Sequence, residues 1–444
     1  MRRHIRHSRK RLLSQLAWKI RLVFWFGSIA VGLTAVAFAG LSVHVDTLFR
    51  ELKSHFPYMI YFLPPVGLLL IAWLTRRFFK GAEGSGIPQV IVTIQRKEQR
   101  FLRRSLLSLG VAFGKIILTL LGLLAGASIG REGPTVHIGA SIMYFIGKLA
   151  TFPPHYMEKG LILAGGSAGI AAAFNTPLAG IVFAIEELSR SFEERTSGII
   201  LTAVLFAGMT AMALQGNYNY FGSVYAIMPL DQSWLAVPLC GVIGGLLGGL
   251  FSQILVKGGR FLVPVIKTHP FVVAGVCGVL ISVVGLLSGG LTFGTGYLEA
   301  QQIVTGKADY VPWFPFLKMI ASVASYLSGI PGGIFSPSLA AGAGLGATLF
   351  HWFQTAPYEA MILLGMVGYF AGVIQSPITA FVIVMEMTDN HDIMLALMAT
   401  SIIAYGASRL VCTSPVYQAM ALQFLGAQKR LAGEEIQSKA AEPA

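Results

Sequence analysis

The chain is short of charge. Only 12% of its 444 residues are Asp, Glu, Lys or Arg, against the roughly 25% of a soluble domain. That deficit excludes a water-soluble globular or disordered protein. Acids are the scarcer sign, 20 against 33 Lys and Arg. Cysteine is scarce too. Cys240, Cys277 and Cys412 lie scattered among apolar residues, which excludes a disulfide framework or a thiolate metal centre. No His, Asp and Glu cluster has metal-ligand spacing, and no histidine stands as a general base for a serine nucleophile. An enzyme is therefore not expected, although Ser85 and Ser167 sit in glycine-rich contexts, and no cofactor or metal is expected either. From Gly216 to Trp234 there is no Lys or Arg at all.

What the chain has instead is apolar sequence, 55% hydrophobic residues at a mean hydropathy of +0.68. Apolar segments recur at 23–47, 58–74, 105–127, 135–151, 158–186, 198–214, 234–256, 270–293, 312–328, 334–353, 360–386 and 392–412. Several are too short or too glycine-rich for simple spans of about 20 residues. With 51 Gly and 20 Pro, a polytopic membrane protein with broken, closely packed helices is expected.

The basic residues fall in four groups: Arg2 to Arg21, Arg76 to Lys80, Arg96 to Arg104, and Lys257 to Lys267. The positive-inside rule assigns all four to the cytoplasm, with both termini, and leaves 216–234 outside. Topology and lipid contact explain these charges; nucleic-acid binding does not. The basic start is not expected to be a cleavable signal, because the apolar run behind it is too long. Trp18, Trp73, Trp234 and Trp352 read as interface anchors.

One acid stands inside this apolar sequence, in Gly130-Arg131-Glu132-Gly133-Pro134-Thr135. A carboxylate at membrane depth costs about 2.5–3.5 kcal/mol on insertion scales and marks function. The flanking glycines and Pro134 predict a helix starting there. Helix starts offer unpaired N–H groups and partial positive charge, a site for anions.

The sequence also repeats. Gly165 to Glu186 matches Gly365 to Glu386 at an offset of 200, with Pro177/Pro377, Thr176/Ser376 and Leu178/Ile378 as pairs. Pro134-Thr135-Val136 with Gly139-Ala140 matches Pro337-Ser338-Leu339 with Gly342-Ala343. Duplicated halves with interrupted helices are the mark of a transporter whose site lies between the repeats near the midplane. The charge pattern starts the halves on opposite sides, so the repeat is inverted. The expected organisation is a basic cytoplasmic segment 1–22, a first membrane repeat 23–214, an external linker 215–233, a second repeat 234–425 and a short cytoplasmic tail 426–444. The fold class is all-α.

Three separated motifs, Gly84-Ser85-Gly86-Ile87-Pro88, Gly130-Arg131-Glu132-Gly133-Pro134 and Gly332-Gly333-Ile334-Phe335-Ser336-Pro337, resemble those of the CLC chloride channels and proton/chloride antiporters. Glu386-Met387-Thr388-Asp389 and Tyr417 fit the same family, so the resemblance runs from about 84 to 417. It implies that chloride is held by the Ser85 hydroxyl, the Tyr417 phenol and the backbone N–H groups of Ile334 and Phe335. Neutral donors of this kind bind an anion firmly enough to strip its water and weakly enough to release it. Serine in the first motif looks like the chloride-preferring version. A fluoride exporter of the family is less similar at Ser85 and Tyr417.

The resemblance makes Glu132 the external gate and proton acceptor, and Glu187 the internal proton-transfer acid. Proton/chloride exchange is therefore the expected function, with a passive voltage- or pH-gated chloride channel on the same fold as the alternative. Glu186 and Glu386, paired in the repeat, read as structural acceptors. Lys115 matches a basic position of bacterial members, but Gln89, Val90 and Ile91 follow the first motif where some of those carry an acid, so Lys115 is expected to be unpaired. His137 reads as a packing or hydrogen-bonding residue. The resemblance also implies a homodimer, joined through helices near Leu178–Ile185, Ile199–Ala213 and Ile393–Leu410. The short tail leads to the expectation that the cytoplasmic CBS modules of some relatives are missing, and the short basic N-terminus and economy of the chain to a prokaryotic plasma (inner) membrane.

Overall fold

The computed structural model describes residues 15–95, 100–150, 156–190, 194–307 and 311–426. Most of the first basic group, Arg96 to Lys97 of the third and the tail from 427 lie outside them. The described residues form helices and connecting loops, with two isolated backbone bridges and no strand.

The first half comprises α1 (Gln15–His55), α2 (Met59–Phe78), α3 (Ile87–Gln95), α4 (Arg100–Leu106), α5 (Leu109–Leu124), α6 (Glu132–Leu149), α7 (Tyr156–Phe174), α8 (Pro177–Phe183) and α9 (Glu194–Gln215). The second comprises α10 (Ala236–Thr268), α11 (Pro270–Leu287), α12 (Tyr297–Val304), α13 (Phe314–Leu327), α14 (Phe335–Phe353), α15 (Tyr358–Ile374), α16 (Pro377–Thr388), α17 (Met394–Val411) and α18, over 416–426. Among the described residues six helical stretches are long and apolar enough to cross a membrane. The rest are shorter or less apolar, in keeping with the glycine and proline content.

Two apolar segments that look continuous in sequence are broken, and at equivalent places. The 158–186 segment breaks between Phe174 and Pro177, with Asn175 at φ 57°; the 360–386 segment breaks between Ile374 and Pro377, with Gln375 at φ 55°. Each break leaves a proline at the first turn of the next helix, where its missing N–H costs nothing. The same duplication governs packing. Gly139 of α6 lies against Gly165 of α7, and Gly342 of α14 against Gly365 of α15, so closely that a Cβ at either position would strike the partner's backbone. Small residues bring these backbones together where lipid provides no hydrophobic drive. α14 and α15 are buried on all sides, from Phe335 to Leu349 and from Ala360 to Ile374. In contrast α2 and α11 expose Phe62, Val66, Val276 and Val283, the faces of helices that meet lipid.

The Arg76 guanidinium donates to the Ile266 carbonyl at 2.7 Å, which brings the basic end of α2 to the basic end of α10. Glu186 and Glu386 are reciprocal caps. Glu186 accepts from the N–H groups of Ile378 (3.1 Å) and Thr379 (2.6 Å) at the start of α16. Glu386 accepts from Leu178 (3.0 Å) and Ala179 (2.7 Å) at the start of α8. Each half supplies the carboxylate that satisfies the other's orphan helix donors, as the structural reading of the pair anticipates.

Candidate functional site

The three glycine motifs meet. Gly130 and Gly333 exchange two backbone hydrogen bonds, both 2.7 Å, and Gly84 bonds to Ile330 and Gly332 at 3.3 Å. Three helix starts follow within two or three residues of these contacts: α3 at Ile87, α6 at Glu132 and α14 at Phe335. Only residues without side chains let these loops touch. A Cβ at Gly133 would overlap the Ser85 hydroxyl, and one at Gly130 would overlap the Glu132 carboxylate.

Ser85 sits between Gly84 (φ 65°) and Gly86 (φ 98°), a left-handed pair that turns the chain back into α3. It is fully buried. Tyr417 is fully buried as well, its ring stacked on Phe335 with centroids 5.9 Å apart. The Ser85 and Tyr417 hydroxyls are near enough to interact, and neither has a hydrogen-bond partner among the described residues. Two buried hydroxyls left orphaned side by side are unusual, because such groups cost free energy unless something accepts their protons. Ile334 and Phe335, also buried, form the cap and first residue of α14, so their N–H groups have no acceptor one turn earlier in the helix.

Glu132 is the first residue of α6 and fully buried. Its Oε1 accepts from the Ser336 hydroxyl at 2.5 Å, and its Oε2 has no partner among the described residues. Arg131, beside it, turns away to donate to the Ala39 carbonyl at 2.6 Å. Glu187 lies apart from this cluster, on a one-turn π-helix (Ala184–Ser189), and is equally buried. Its Oε2 accepts from the Ser376 hydroxyl at 2.5 Å, and its Oε1 has no partner among the described residues. Tyr417 is within electrostatic reach of both glutamates. The structure thus gathers Ser85, Glu132, Ile334, Phe335 and Tyr417 at one point and holds Glu187 at another.

Sequence reasoning passed over Ser336 and Ser376. Both precede a helix-start proline in the second half, and each donates to a glutamate of the first; that Ser-Pro context was the available signal. The expectation for Lys115 is corrected. Its ammonium donates to three successive carbonyls, Ala82 (2.8 Å), Glu83 (3.4 Å) and Gly84 (3.0 Å), so three donors find three acceptors without a carboxylate. Gln89 holds the same loop by donating to the Glu83 carbonyl at 2.6 Å. His137 is fully buried and packs against Gly86.

A family model described as voltage gated chloride channel matches residues 66–409. The chain belongs to the CLC family. Among its CLC relatives is the H(+)/Cl(-) exchange transporter ClcA of Yersinia pestis bv. Antiqua (strain Angola), 30% identical over 381 residues, which cover 81% of this chain and 76% of the relative. The ClcA of Cronobacter sakazakii (strain ATCC BAA-894) is 29% identical over 429 residues, 90% of this chain and 89% of the relative. Of solved structures, a slow cyanobacterial Cl-/H+ antiporter superposes with a TM-score of 0.79 at 22% identity, over 93% of this chain and 99% of that one. A CLC-type fluoride/proton antiporter gives 0.78 at 22% identity, over 91% and 98%. At these identities the superpositions show a shared fold, the inverted repeat of broken helices characteristic of CLC proteins.

Proposed function

We propose that this CLC protein exchanges chloride for protons, with Glu132 as the gate and proton acceptor on the chloride path and Glu187 as the internal proton-transfer acid. The carrying observation is the pair of fully buried glutamates, each gripped through one oxygen by a serine at 2.5 Å and with the other oxygen unpartnered among the described residues. The capping acids Glu186 and Glu386, by contrast, have both oxygens bonded to helix-start N–H groups. A passive channel needs one gate, and nothing in it calls for the second buried acid. The exchange activity in the names of the two ClcA relatives supports the same reading.

Chloride in this scheme is held by the hydroxyls of Ser85 and Tyr417 and the N–H groups of Ile334 and Phe335. Ionised Glu132 competes with it at the start of α6; protonated Glu132 leaves that start and admits it. In this scheme protons pass between Glu187 and Glu132 by a path separate from that of chloride, so that the two ions share only the gate. The chain works in a bacterial inner membrane as a homodimer, with basic helix ends and both termini in the cytoplasm. Its membrane repeats are 23–214 and 234–425, flanked by 1–22 and 426–444 and joined by the external linker 215–233. The common location of the basic ends of α2 and α10 supports that orientation.

The test uses purified protein in liposomes, with valinomycin and potassium holding the voltage near zero. An imposed chloride gradient should drive protons uphill, and Glu132→Gln should pass chloride without moving protons. Chloride flux with no proton movement in the unaltered protein would refute exchange and favour the channel.

A further inference from the structure

Lys115 has a counterpart. Lys318 of α13 is also fully buried, and its ammonium donates to three successive carbonyls, Thr292 (2.9 Å), Phe293 (3.5 Å) and Gly294 (3.0 Å). The two gripped loops correspond residue by residue. Gly84-Ser85-Gly86 leads into α3, and Gly294-Thr295-Gly296 leads into α12. Gly84 and Gly294 have φ of 65° and 67°, and Gly86 and Gly296 of 98° and 77°. Thr295 therefore stands in the second half where Ser85 stands in the first: a hydroxyl between two left-handed glycines, a lysine behind the loop and a helix start in front. This second cradle opens on a cavity of about 110 Å³, lined among others by Asp46, Arg131, Tyr220, Thr295 and Tyr297.

The occupant differs. Asp46 of α1 is 9% exposed, and its Oδ2 accepts from Arg50 Nε at 2.9 Å. Its Oδ1 has no partner among the described residues and lies so close to Gly294 that a Cβ there would overlap it. A carboxylate is thus held against the start of α12, where partial positive charge favours an anion. The other charged groups around it come from every packed element. Arg50 and Lys53 stand on α1 itself. Glu299 of α12 is taken by Arg50 Nη2 at 2.9 Å, and Lys318 of α13 attracts both acids. Arg131, the cap residue before α6, has five N–H donors, of which Ala39 takes one, and its guanidinium also faces Tyr220.

We propose that the start of α12 is an outer anion site, and that Asp46 is its tethered resident: a second carboxylate gate in series with Glu132. External chloride binds at Thr295 and Arg131 only while the Asp46 carboxylate is displaced. The inference rests on the chloride-path reading given above and extends it outward.

The experiment compares bromide positions, from anomalous scattering, in crystals of the unaltered protein and of Asp46→Asn. It is paired with the dependence of exchange on external and internal chloride. The unaltered protein should hold bromide beside Ser85 and Tyr417 but not at Thr295. Asp46→Asn should keep the first ion and gain the second, and its half-saturating external chloride should fall about fivefold, because the site no longer waits for its own carboxylate to leave. The internal value should not move. Adding Thr295→Val should abolish the gained ion. Asp46→Ser, which keeps an acceptor for Arg50, is read in the same way should the asparagine variant not fold. A fall in half-saturation without an anion at Thr295 is a through-space effect of charge and would overturn the proposal, as would no change in either measurement. Absence of bromide beside Ser85 and Tyr417 in both proteins would instead overturn the chloride-path reading, and this proposal with it.

Discussion

Replacing Lys115 by methionine separates the placement of the anion site from the stability of the fold. The side chain keeps its length and loses its three donors. Hydrogen bonds from a charged donor contribute about 1.5–3 kcal/mol each. Those to Ala82 (2.8 Å) and Gly84 (3.0 Å) are full bonds, whereas the contact with Glu83 at 3.4 Å is long. Two full bonds give a gross loss of about 3–6 kcal/mol. Methionine also removes the cost of burying an ammonium, several kcal/mol, so the net change in stability is much smaller than the gross loss. The position of Ser85 has no such compensation, because it is the next residue after the freed carbonyls. If about a quarter of the gross loss reaches the site, ~1 kcal/mol, chloride binding weakens about fivefold. Calorimetric titration of chloride into detergent-solubilised protein reads this directly. Lys318→Met is the control: it frees the matching carbonyls before Thr295 and should leave the inner chloride affinity within about twofold. Unchanged affinity in Lys115→Met, or an equal loss in Lys318→Met, would refute the reasoning that each lysine sets its own loop.

Glu187→Gln should stop proton movement while chloride still passes in the liposome assay; undiminished proton pumping would remove Glu187 from the proton route. Ser85→Ala combined with Tyr417→Ala should raise the chloride dissociation constant by about a hundredfold or more, since each hydroxyl bond to a charged group contributes about 1.5–3 kcal/mol. Calorimetry showing unaltered affinity would contradict it. Glu386→Ala strands two N–H groups at the start of α8 and should lower the thermal midpoint by several degrees, with Glu386→Gln intermediate. Equal midpoints for all three proteins would mean that the reciprocal caps do not stabilise the fold.

Much of this arrangement was legible in sequence because it depends on backbone. The motif glycines and Pro134, Pro177, Pro337 and Pro377 mark helix starts by their own conformational limits. Helix starts are the chemistry of the site. Glu132 stood out because an acid among apolar residues is costly and therefore conspicuous, whereas Glu187, at the polar end of its segment, was singled out only by the family resemblance. The partners were not legible. Ser336 and Ser376 reach across from the opposite half, 204 and 189 residues away in the chain. Lys115 was misjudged because its partners were sought among acids, whereas left-handed Gly84 lies in a loop that turns its carbonyls inward and gives a lysine all it needs. The ion pair of Arg50 with Glu299 joins α1 to α12, a proximity no local pattern encodes.

The reciprocal caps at α8 and α16, with the paired bonds between Gly130 and Gly333, restrict how this transporter can work. Rocking one half as a rigid block against the other would break four carboxylate-to-amide bonds and two backbone bonds at once. In the exchange scheme proposed above, alternating exposure is a matter of side chains swinging within a locked frame. The distance travelled is the length of a glutamate, not the width of a domain.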